Sequence, residues 1–283
     1  MRLTRQSLML QCWFLSDAIN QGGSMRRKIK GVLFDLDGVL YVGDKIVPGT
    51  HATLDYCRDN HIPFRFITNT STRTVGDIAD KLQRMGLEIM PDDIFSAVSA
   101  SRDFLRQQDN PSVHLLIRDS AKSDFDEFVQ DTQNPDFVIV GDIGAAWNYK
   151  LLNRVFRELM EGAELLAMHM NKYWQTEQGL QMDIGAFVVG LEFVSGKQAK
   201  VIGKPSQTFF KLAVESLDLS AEEVLVIGDD IENDIGGGHA SGLAGVLVKT
   251  GKYREDIVKA SDVIPDAIID SIADLPEILE SHR

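Results

Sequence analysis

Two aspartates, Asp35 and Asp37, stand two positions apart directly after a short apolar run. The run, residues 32–34, has no polar alternation, which is typical of a strand buried on both faces in a parallel sheet. Ligands of open α/β sheets bind in the crevice beyond the carboxyl ends of such strands. Two carboxylates placed there repel each other, which indicates a cation between them or a proton on one of them. The simpler interpretation is an acidic turn, because Asp and Gly are common turn residues.

A second polar cluster follows the next predicted strand, residues 63–67. It begins with Thr68 and Asn69 and continues through three more hydroxyl residues, 70–72. Such a cluster serves as a cap or turn in many proteins. The alternative is a pocket rich in hydrogen-bond donors that binds an oxyanion.

A lysine and three further aspartates fall at two later strand ends. Lys204 precedes a proline, which is favoured in the first turn of a helix. Asp229 and Asp230 directly follow the apolar run 224–228, and we expect Asp234 to cap the helix after them. Each of these residues has an ordinary structural explanation by itself. Together, at one sheet edge, they would hold a divalent cation and a phosphoryl group.

The periodicity of the chain predicts strands that alternate with helices. Short apolar runs between turn residues predict strands, and apolar residues at helical spacing predict the helices. The β-α-β-α order indicates a doubly wound parallel sheet of the α/β class. The predicted helices include 50–57, 75–85, 150–160, 187–194 and 209–217, with a further helix through Gly238 and Ala240 and a closing helix through Leu275 and Leu279. Residues 41–49 are predicted to form a loop.

An inserted α/β passage interrupts this pattern and carries no charged strand-end signature of its own. We therefore predict a discontinuous core domain, residues 25–99 and 200–283, with an inserted cap domain, residues 100–199. Residues 1–24 are predicted to be a disordered N-terminal extension.

The composition limits the possible functions. The 283 residues allow one large domain or two of ordinary size, and 44% hydrophobic content is typical of a soluble globular protein. A net charge of −13 argues against nucleic acid or an anionic membrane as partner, because phosphate backbones are bound by clustered Lys and Arg. The two cysteines offer no disulfide framework, which fits a cytoplasmic location.

Taken in order, the strand-end motifs resemble those of the haloacid dehalogenase (HAD) superfamily. The motifs are Asp35-x-Asp37-Gly38, Thr68-Asn69, Gly203-Lys204-Pro205, and Gly228-Asp229-Asp230 through Asp234. The insert, between the second and third motifs, is similar to a type II cap. Residues 134–141 and 203–206 resemble the type IIA subgroup that includes NagD, pyridoxal phosphatase and phospholysine phosphohistidine inorganic pyrophosphate phosphatase. The resemblance covers residues 28–281 and implies a doubly wound HAD core with an α/β cap.

The resemblance also implies a catalytic role for each motif residue. Asp35 would be the nucleophile, forming an aspartyl-phosphate that water then cleaves. Asp37 would be the general acid and then the general base. The Thr68 hydroxyl, the Asn69 backbone N–H and the Lys204 ammonium would hold the phosphoryl oxygens.

The same resemblance implies a Mg²⁺ site, because oxygen ligands suit a hard cation. The ligands would be the Asp35 carboxylate, the Asp37 backbone carbonyl and the Asp229 carboxylate. Either Asp230 or Asp234 would support the metal, and we favour Asp234.

The function that follows is a Mg²⁺-dependent phosphatase acting on a small phosphorylated metabolite. One alternative is a phosphotransferase or phosphomutase, which hands the aspartyl-phosphate to an acceptor other than water. A second is a non-enzymatic phospho-acceptor such as a receiver domain, which also combines an acidic cluster with Thr and Lys. Receiver domains are much shorter and have no insert.

The cap is where substrate selectivity is expected, because the core motifs recognise only phosphate. The stretch 168–174 lies where related caps place a substrate-facing loop, so Lys172 could meet an anion and Tyr173 or Trp174 a ring. Packing of these aromatics into the cap core explains the stretch equally well. Related proteins often pair through the cap, which implies a homodimer.

Overall fold

The structure, a computed structural model, describes residues 27–176 and 179–282. The predicted extension, residues 1–24, lies outside the described residues. The strands are β1 (Gly31–Asp35), β2 (Tyr41–Val42), β3 (Lys45–Ile46), β4 (Phe64–Thr68), β5 (Ile94–Ser96), β6 (Ser112–Leu116), β7 (Val129–Gln130), β8 (Phe137–Val140), β9 (Glu164–Ala167), β10 (Tyr173–Thr176), β11 (Gly179–Met182), β12 (Lys200–Val201), β13 (Val224–Gly228), β14 (Ala244–Val248) and β15 (Ala267–Ile269). The α-helices are α1 (Thr50–Asp59), α2 (Val75–Arg84), α3 (Ala97–Arg106), α4 (Asp119–Lys122), α5 (Tyr149–Glu161), α6 (Gly185–Ser195), α7 (Gln207–Glu215), α8 (Gly237–Ala240), α9 (Glu255–Ala260) and α10 (Leu275–Ser281).

The first sheet is parallel and has the strand order β15-β14-β13-β1-β4-β5. Every residue of β1, β13 and β14 is buried, because helices cover both faces of a doubly wound sheet. The register pairs Asp35 with Ile67 on one side of β1 and Phe34 with Ile227 on the other. The carboxyl ends of β1, β4 and β13 therefore meet at one edge. This arrangement confirms the predicted α/β fold.

The second sheet, in the order β12-β9-β8-β6-β7, is built from residues between β6 and β12. It is also parallel, and α5 and α6 pack against it through an apolar cluster that includes Val138, Val155 and Val188. A further cluster of buried residues contains Leu33 of the first sheet and Ile139 of the second. The two sheets thus share packed side chains.

Two short hairpins lie where the sequence predicted loops. Tyr41 pairs with Ile46 across β2 and β3, inside the predicted loop 41–49. Gly43 supplies the turn with a φ of 62°, a backbone conformation that glycine adopts readily. Strands β10 and β11 form the second hairpin, so the predicted loop 168–174 was wrong for its last two residues. These strands are too short for hydrophobic periodicity to reveal them.

Candidate active site

The carboxyl ends of β1, β4 and β13 open into a polar cavity of about 320 Å³. Six of the seven sequence-predicted site residues line this cavity: Asp35, Asp37, Thr68, Asn69, Lys204 and Asp234. The seventh, Asp229, directly follows β13 and lies beside them, within the same group of carboxylates. The structure therefore brings all the predicted residues together at one sheet edge.

Lys204 is the centre of the buried charge network. Its Nζ donates hydrogen bonds to Asp35 Oδ1 at 2.7 Å and to Asp234 Oδ1 at 2.6 Å. Burial acts to lower the Lys204 pKa, but attraction to Asp234 and then Asp35 outweighs it, so the pKa is raised above its ordinary value. The side chain therefore stays an ammonium, and it holds two carboxylates in fixed positions.

Asp35, Asp229 and Asp234 form a buried acidic cluster whose candidate ligand atoms all lie within 4.8 Å of one another. Burial, followed by repulsion from Asp35 and Asp234, raises the pKa of Asp229 to about 7. Burial also raises the pKa of Asp234 to about 6, with Lys204 acting in the opposite direction. Three carboxylates share the single ammonium of Lys204, so the cluster carries an excess of negative charge.

One oxygen of the cluster is suited to bind a cation. Asp229 Oδ1 is buried and, among the described residues, has no hydrogen-bond partner. Its other oxygen, Oδ2, accepts the backbone N–H of Lys252 at 2.7 Å. An unpaired buried carboxylate oxygen is costly unless a cation or a proton meets it. The donor set consists of carboxylate oxygens, which suits a hard divalent cation.

The residue that caps the segment after β13 is not the one that the sequence predicted. Asp230, not Asp234, caps the segment that follows, a π-helical turn over Ile231–Gly236. The Asp230 carboxylate accepts the backbone N–H groups of Glu232 and Asn233. Because the turn begins one residue after Asp230, Asp234 lies inside it and is directed at Lys204. The predicted capping role of Asp234 was wrong.

Asn69 braces Lys204 through its side chain. Asn69 Nδ2 donates to the Lys204 carbonyl at 2.9 Å, and the Lys204 N–H donates to Asn69 Oδ1 at 2.7 Å. The Thr68 hydroxyl lies 3.0 Å from that of Thr70 and accepts the Thr70 backbone N–H at 3.1 Å. Thr68 thus orders the loop after β4 as well as facing the cavity.

Asp37 is exposed at the cavity, whereas Asp35 is buried. The backbone between them turns sharply, and the Gly38 N–H donates to the Tyr41 carbonyl at 2.7 Å. Gly38 has a φ of 95°, and a Cβ added there would lie 1.9 Å from Asp229 Oδ2. The glycine is therefore required for the close approach of this loop to Asp229.

The loop after β14 also reaches the site and was missed from the sequence. Thr250 donates a hydrogen bond from its hydroxyl to the Gly38 carbonyl, and Lys252 bonds Asp229 as described above. The available signal was the position of this loop at the carboxyl end of a strand in the same sheet.

A buried histidine on the opposite wall was likewise missed. His169, in the loop after β9, has its Nε2 3.3 Å from the Ser71 hydroxyl and its Nδ1 4.0 Å from Asp183 Oδ2. Burial lowers the pKa of His169, and the nearby Asp183 and Asp142 counteract this only in part. The link joins the loop after β4 to the second sheet, a contact distant in sequence.

An acidic cluster with a buried lysine at the edge of a doubly wound sheet, under an inserted α/β cap, defines a class of hydrolases. Residues 32–129 match the family described as haloacid dehalogenase-like hydrolase, and residues 201–275 match one described as HAD-hydrolase-like. The chain belongs to the haloacid dehalogenase-like hydrolases, as predicted.

Three known proteins are similar to the chain over most of its length. It is 39% identical over 229 residues to human haloacid dehalogenase-like hydrolase domain-containing protein 2, covering 81% of this chain and 87% of that protein. It is 32% identical over 260 residues to human phospholysine phosphohistidine inorganic pyrophosphate phosphatase, covering 90% and 95%. The solved structure of NagD from E. coli K-12 matches with a TM-score of 0.80 and 27% identity, covering 87% of this chain and 98% of that one.

These similarities identify the chain as a type IIA hydrolase of the phosphatase class. They argue against the alternative of a receiver domain. Within residues 27–176 and 179–282, no helix combines the length and the apolar composition that a membrane span requires.

Proposed function

We propose that the protein is a Mg²⁺-dependent phosphatase that hydrolyses a small phosphorylated metabolite through an aspartyl-phosphate on Asp35. The observation that carries this proposal is the buried cluster in which Lys204 holds Asp35 and Asp234 while Asp229 Oδ1 has no partner among the described residues. Such a site offers a fixed nucleophile, a cation for phosphoryl oxygens, and carboxylates that a second cation would neutralise.

The Asp35 carboxylate would attack phosphorus, forming a new O–P bond while the bond to the leaving oxygen breaks. Asp37 would give its proton to that oxygen. Water would then attack the aspartyl-phosphate, and Asp37 would take the proton that water loses. Inorganic phosphate leaves and Asp35 is restored. Asp37 lines the cavity and is exposed there, which supports this shuttle because the leaving oxygen and the attacking water must both come within its reach.

The remaining residues would bind and orient the phosphoryl group. Lys204, with the hydroxyl of Thr68 and the backbone N–H of Asn69, would stabilise the charge that develops on the phosphoryl oxygens. The two hydrogen bonds between Asn69 and the Lys204 backbone support a fixed position for the ammonium.

The residues that would hold Mg²⁺ are Asp35 and Asp229 through their carboxylates and Asp37 through its carbonyl. Asp234 would support the site by fixing Lys204. When bound, Mg²⁺ supplies positive charge that neutralises the cluster and polarises a phosphoryl oxygen. The phosphatase names of relatives support hydrolysis rather than transfer to another acceptor. A cytoplasmic homodimer stays a prediction from the sequence.

Phosphate release from a panel of phosphorylated compounds, with Mg²⁺ and with a chelator, tests the proposal. The panel includes pyrophosphate, sugar phosphates and an N-phosphorylated amine. Asp35→Asn should abolish turnover, while Asp270→Asn, which alters an exposed aspartate, should retain it. Turnover by Asp35→Asn, or indifference to the chelator, would contradict the covalent mechanism or the metal site respectively.

A further inference from the structure

A second cavity of about 710 Å³ adjoins the first on the side of the loop after β14. Lys204, Asp230 and Lys252 line both cavities, so the two are lobes of one cleft. We call the second cavity the outer lobe. A phosphoryl group held at Lys204 therefore has room beside it for a leaving group.

The outer lobe carries positive charge in a strongly acidic chain. Lys172, Lys252 and Arg254 line it and do not take part in the proposed chemistry. The net charge of the protein is −13, so three basic side chains around one lobe stand out from the average surface. Asp229 and Asp230 also line the lobe, but basic side chains outnumber them. A cleft with an excess of one sign of charge attracts ligands of the opposite sign.

The loop that carries Lys252 is fixed against the catalytic residues. Its Thr250 hydroxyl bonds the Gly38 carbonyl, and the Lys252 N–H bonds Asp229 Oδ2. Gly251 has a φ of 64° and packs so closely that an added Cβ would lie 2.0 Å from Asp229 Oδ2. These contacts place Lys252 at a defined distance from the reacting group.

The ammonium of Lys252 is nevertheless available to a ligand. Its Nζ lies 3.8 Å from Asp230 Oδ2, beyond hydrogen-bond distance, and 68% of its side chain is exposed. Asp230 does not depend on this lysine, because it already accepts two backbone N–H groups and the Asn233 side chain at 2.8 Å.

Apolar side chains also line the outer lobe. They include Pro205, Ile231, Ile257 and Val258, with Tyr253 packed against the cluster of Ile231 and Leu247. A carbon skeleton fits such a surface, while the basic side chains of the lobe bind its far end.

We propose that the outer lobe binds a second anionic group of the substrate, so that the enzyme selects phosphomonoesters whose leaving group carries a carboxylate or a second phosphate. Lys252 and Arg254 hold that group, and Lys172 approaches it from the loop between β9 and β10. This inference rests on the proposed function and narrows its substrate class.

Three matched esters test the inference: benzyl phosphate, 4-carboxybenzyl phosphate and 1,4-benzenedimethanol bisphosphate. Their leaving oxygens are chemically alike, so differences in kcat/KM report the second group. The wild-type enzyme should prefer either anionic ester by about tenfold or more, which is about 1.4 kcal/mol of differential binding. The two anionic arms show whether carboxylate or phosphate is favoured.

The variants Lys252→Met and Arg254→Met should bring this preference close to one, mainly through KM of the anionic esters. Lys249→Met is the control, because it removes one exposed positive charge from the same loop outside the lobe. It should keep the wild-type preference.

Equal kcat/KM for all three esters in the wild type would overturn the inference and leave the phosphatase intact. An equal loss of kcat/KM for all three esters in Lys252→Met would also overturn the inference. The lysine would then contribute only to the overall charge of the cleft and would not bind the second anionic group. No phosphate release from any ester would contradict the proposed function itself.

Discussion

Asp234 Oδ1 lies 2.6 Å from Lys204 Nζ in a buried ion pair, only one turn beyond Asp230. The two neighbouring acids thus have different partners. Asp230 binds backbone N–H groups of its own turn, whereas Asp234 holds the lysine that also contacts Asp35. The geometry favours Asp234 as the carboxylate that supports the metal site and Asp230 as a structural cap.

Asparagine substitutions separate these two roles. Asp234→Asn should lower kcat by about a hundredfold or more. It should also destabilise the fold by about 3 kcal/mol, because it breaks a buried ion pair. Asp230→Asn should cost less than about 1 kcal/mol, since asparagine is an equally good cap. Urea unfolding and phosphate-release assays measure both effects. Comparable losses of activity in the two variants would contradict the assignment.

Two glycines with the same backbone conformation allow a test of the proposed Mg²⁺ site. Gly251 and Gly43 have φ values of 64° and 62°, so alanine at either costs about 1 kcal/mol of backbone strain. A Cβ at Gly43 meets nothing within 4 Å, whereas one at Gly251 meets Asp229 Oδ2. Gly251→Ala should therefore weaken Mg²⁺ binding and lower activity by at least about tenfold, beyond the strain that Gly43→Ala also suffers. Mg²⁺ titrations of both variants provide the comparison, and equal affinities would count against the metal site.

The sequence predicted the centre of the site because three of its four motifs stand at strand ends of the first sheet, whereas Lys204 follows β12 of the second. Asp35 and Thr68 end β1 and β4, Asp229 directly follows β13, and parallel strands place their carboxyl ends at one edge. Local pattern was therefore sufficient to bring these residues together. The same reasoning applies to Lys252 after β14, but no charge pair marked it in the sequence.

What the sequence did not predict depends on contacts between distant loops or on an irregular turn. The Thr250 contact with Gly38 and the His169 contact with Ser71 join segments far apart in the chain. The π-helical turn over Ile231–Gly236 has a different period from an α-helix, so α-helical spacing assigned the cap to the wrong aspartate. Hydrophobic periodicity in the sequence reports neither contacts between distant loops nor irregular turns.

Stability of the metal-free protein should fall as pH rises from about 4 to about 7. The pKa of Asp229 is raised from 3.8 to about 7, so in this range the native state binds more protons than the unfolded state. Mg²⁺ should remove this loss, and its stabilising effect should be larger at about pH 8 than at about pH 5.5. Thermal unfolding with and without Mg²⁺ measures the difference. Asp229→Asn should show smaller trends, and the remainder is due to Asp234, whose pKa is raised to about 6. An unchanged pH dependence in that variant would exclude Asp229 as the source.

His169 should contribute a pH dependence of the opposite sign. Burial lowers its pKa below the ordinary 6.5, so between its folded pKa and about 6.5 the unfolded state binds more protons and stability rises with pH. Asp183 and Asp142 are the charged groups that face it and reduce the effect. His169→Gln should therefore lose less stability than the wild type when the pH falls from about 7.5 to about 5.

The control for this comparison is His51→Gln, which alters an exposed histidine on α1. It should follow the wild-type pH dependence of urea unfolding, measured with Mg²⁺ present so that Asp229 does not contribute. If His169→Gln and His51→Gln lose the same stability in acid, the buried histidine is not the group that titrates. If only His169→Gln is less sensitive to acid, neutral His169 stabilises the contact between the Ser71 loop and the second sheet, because protonation leaves a buried charge whose nearest carboxylate, Asp183, lies 4.0 Å away.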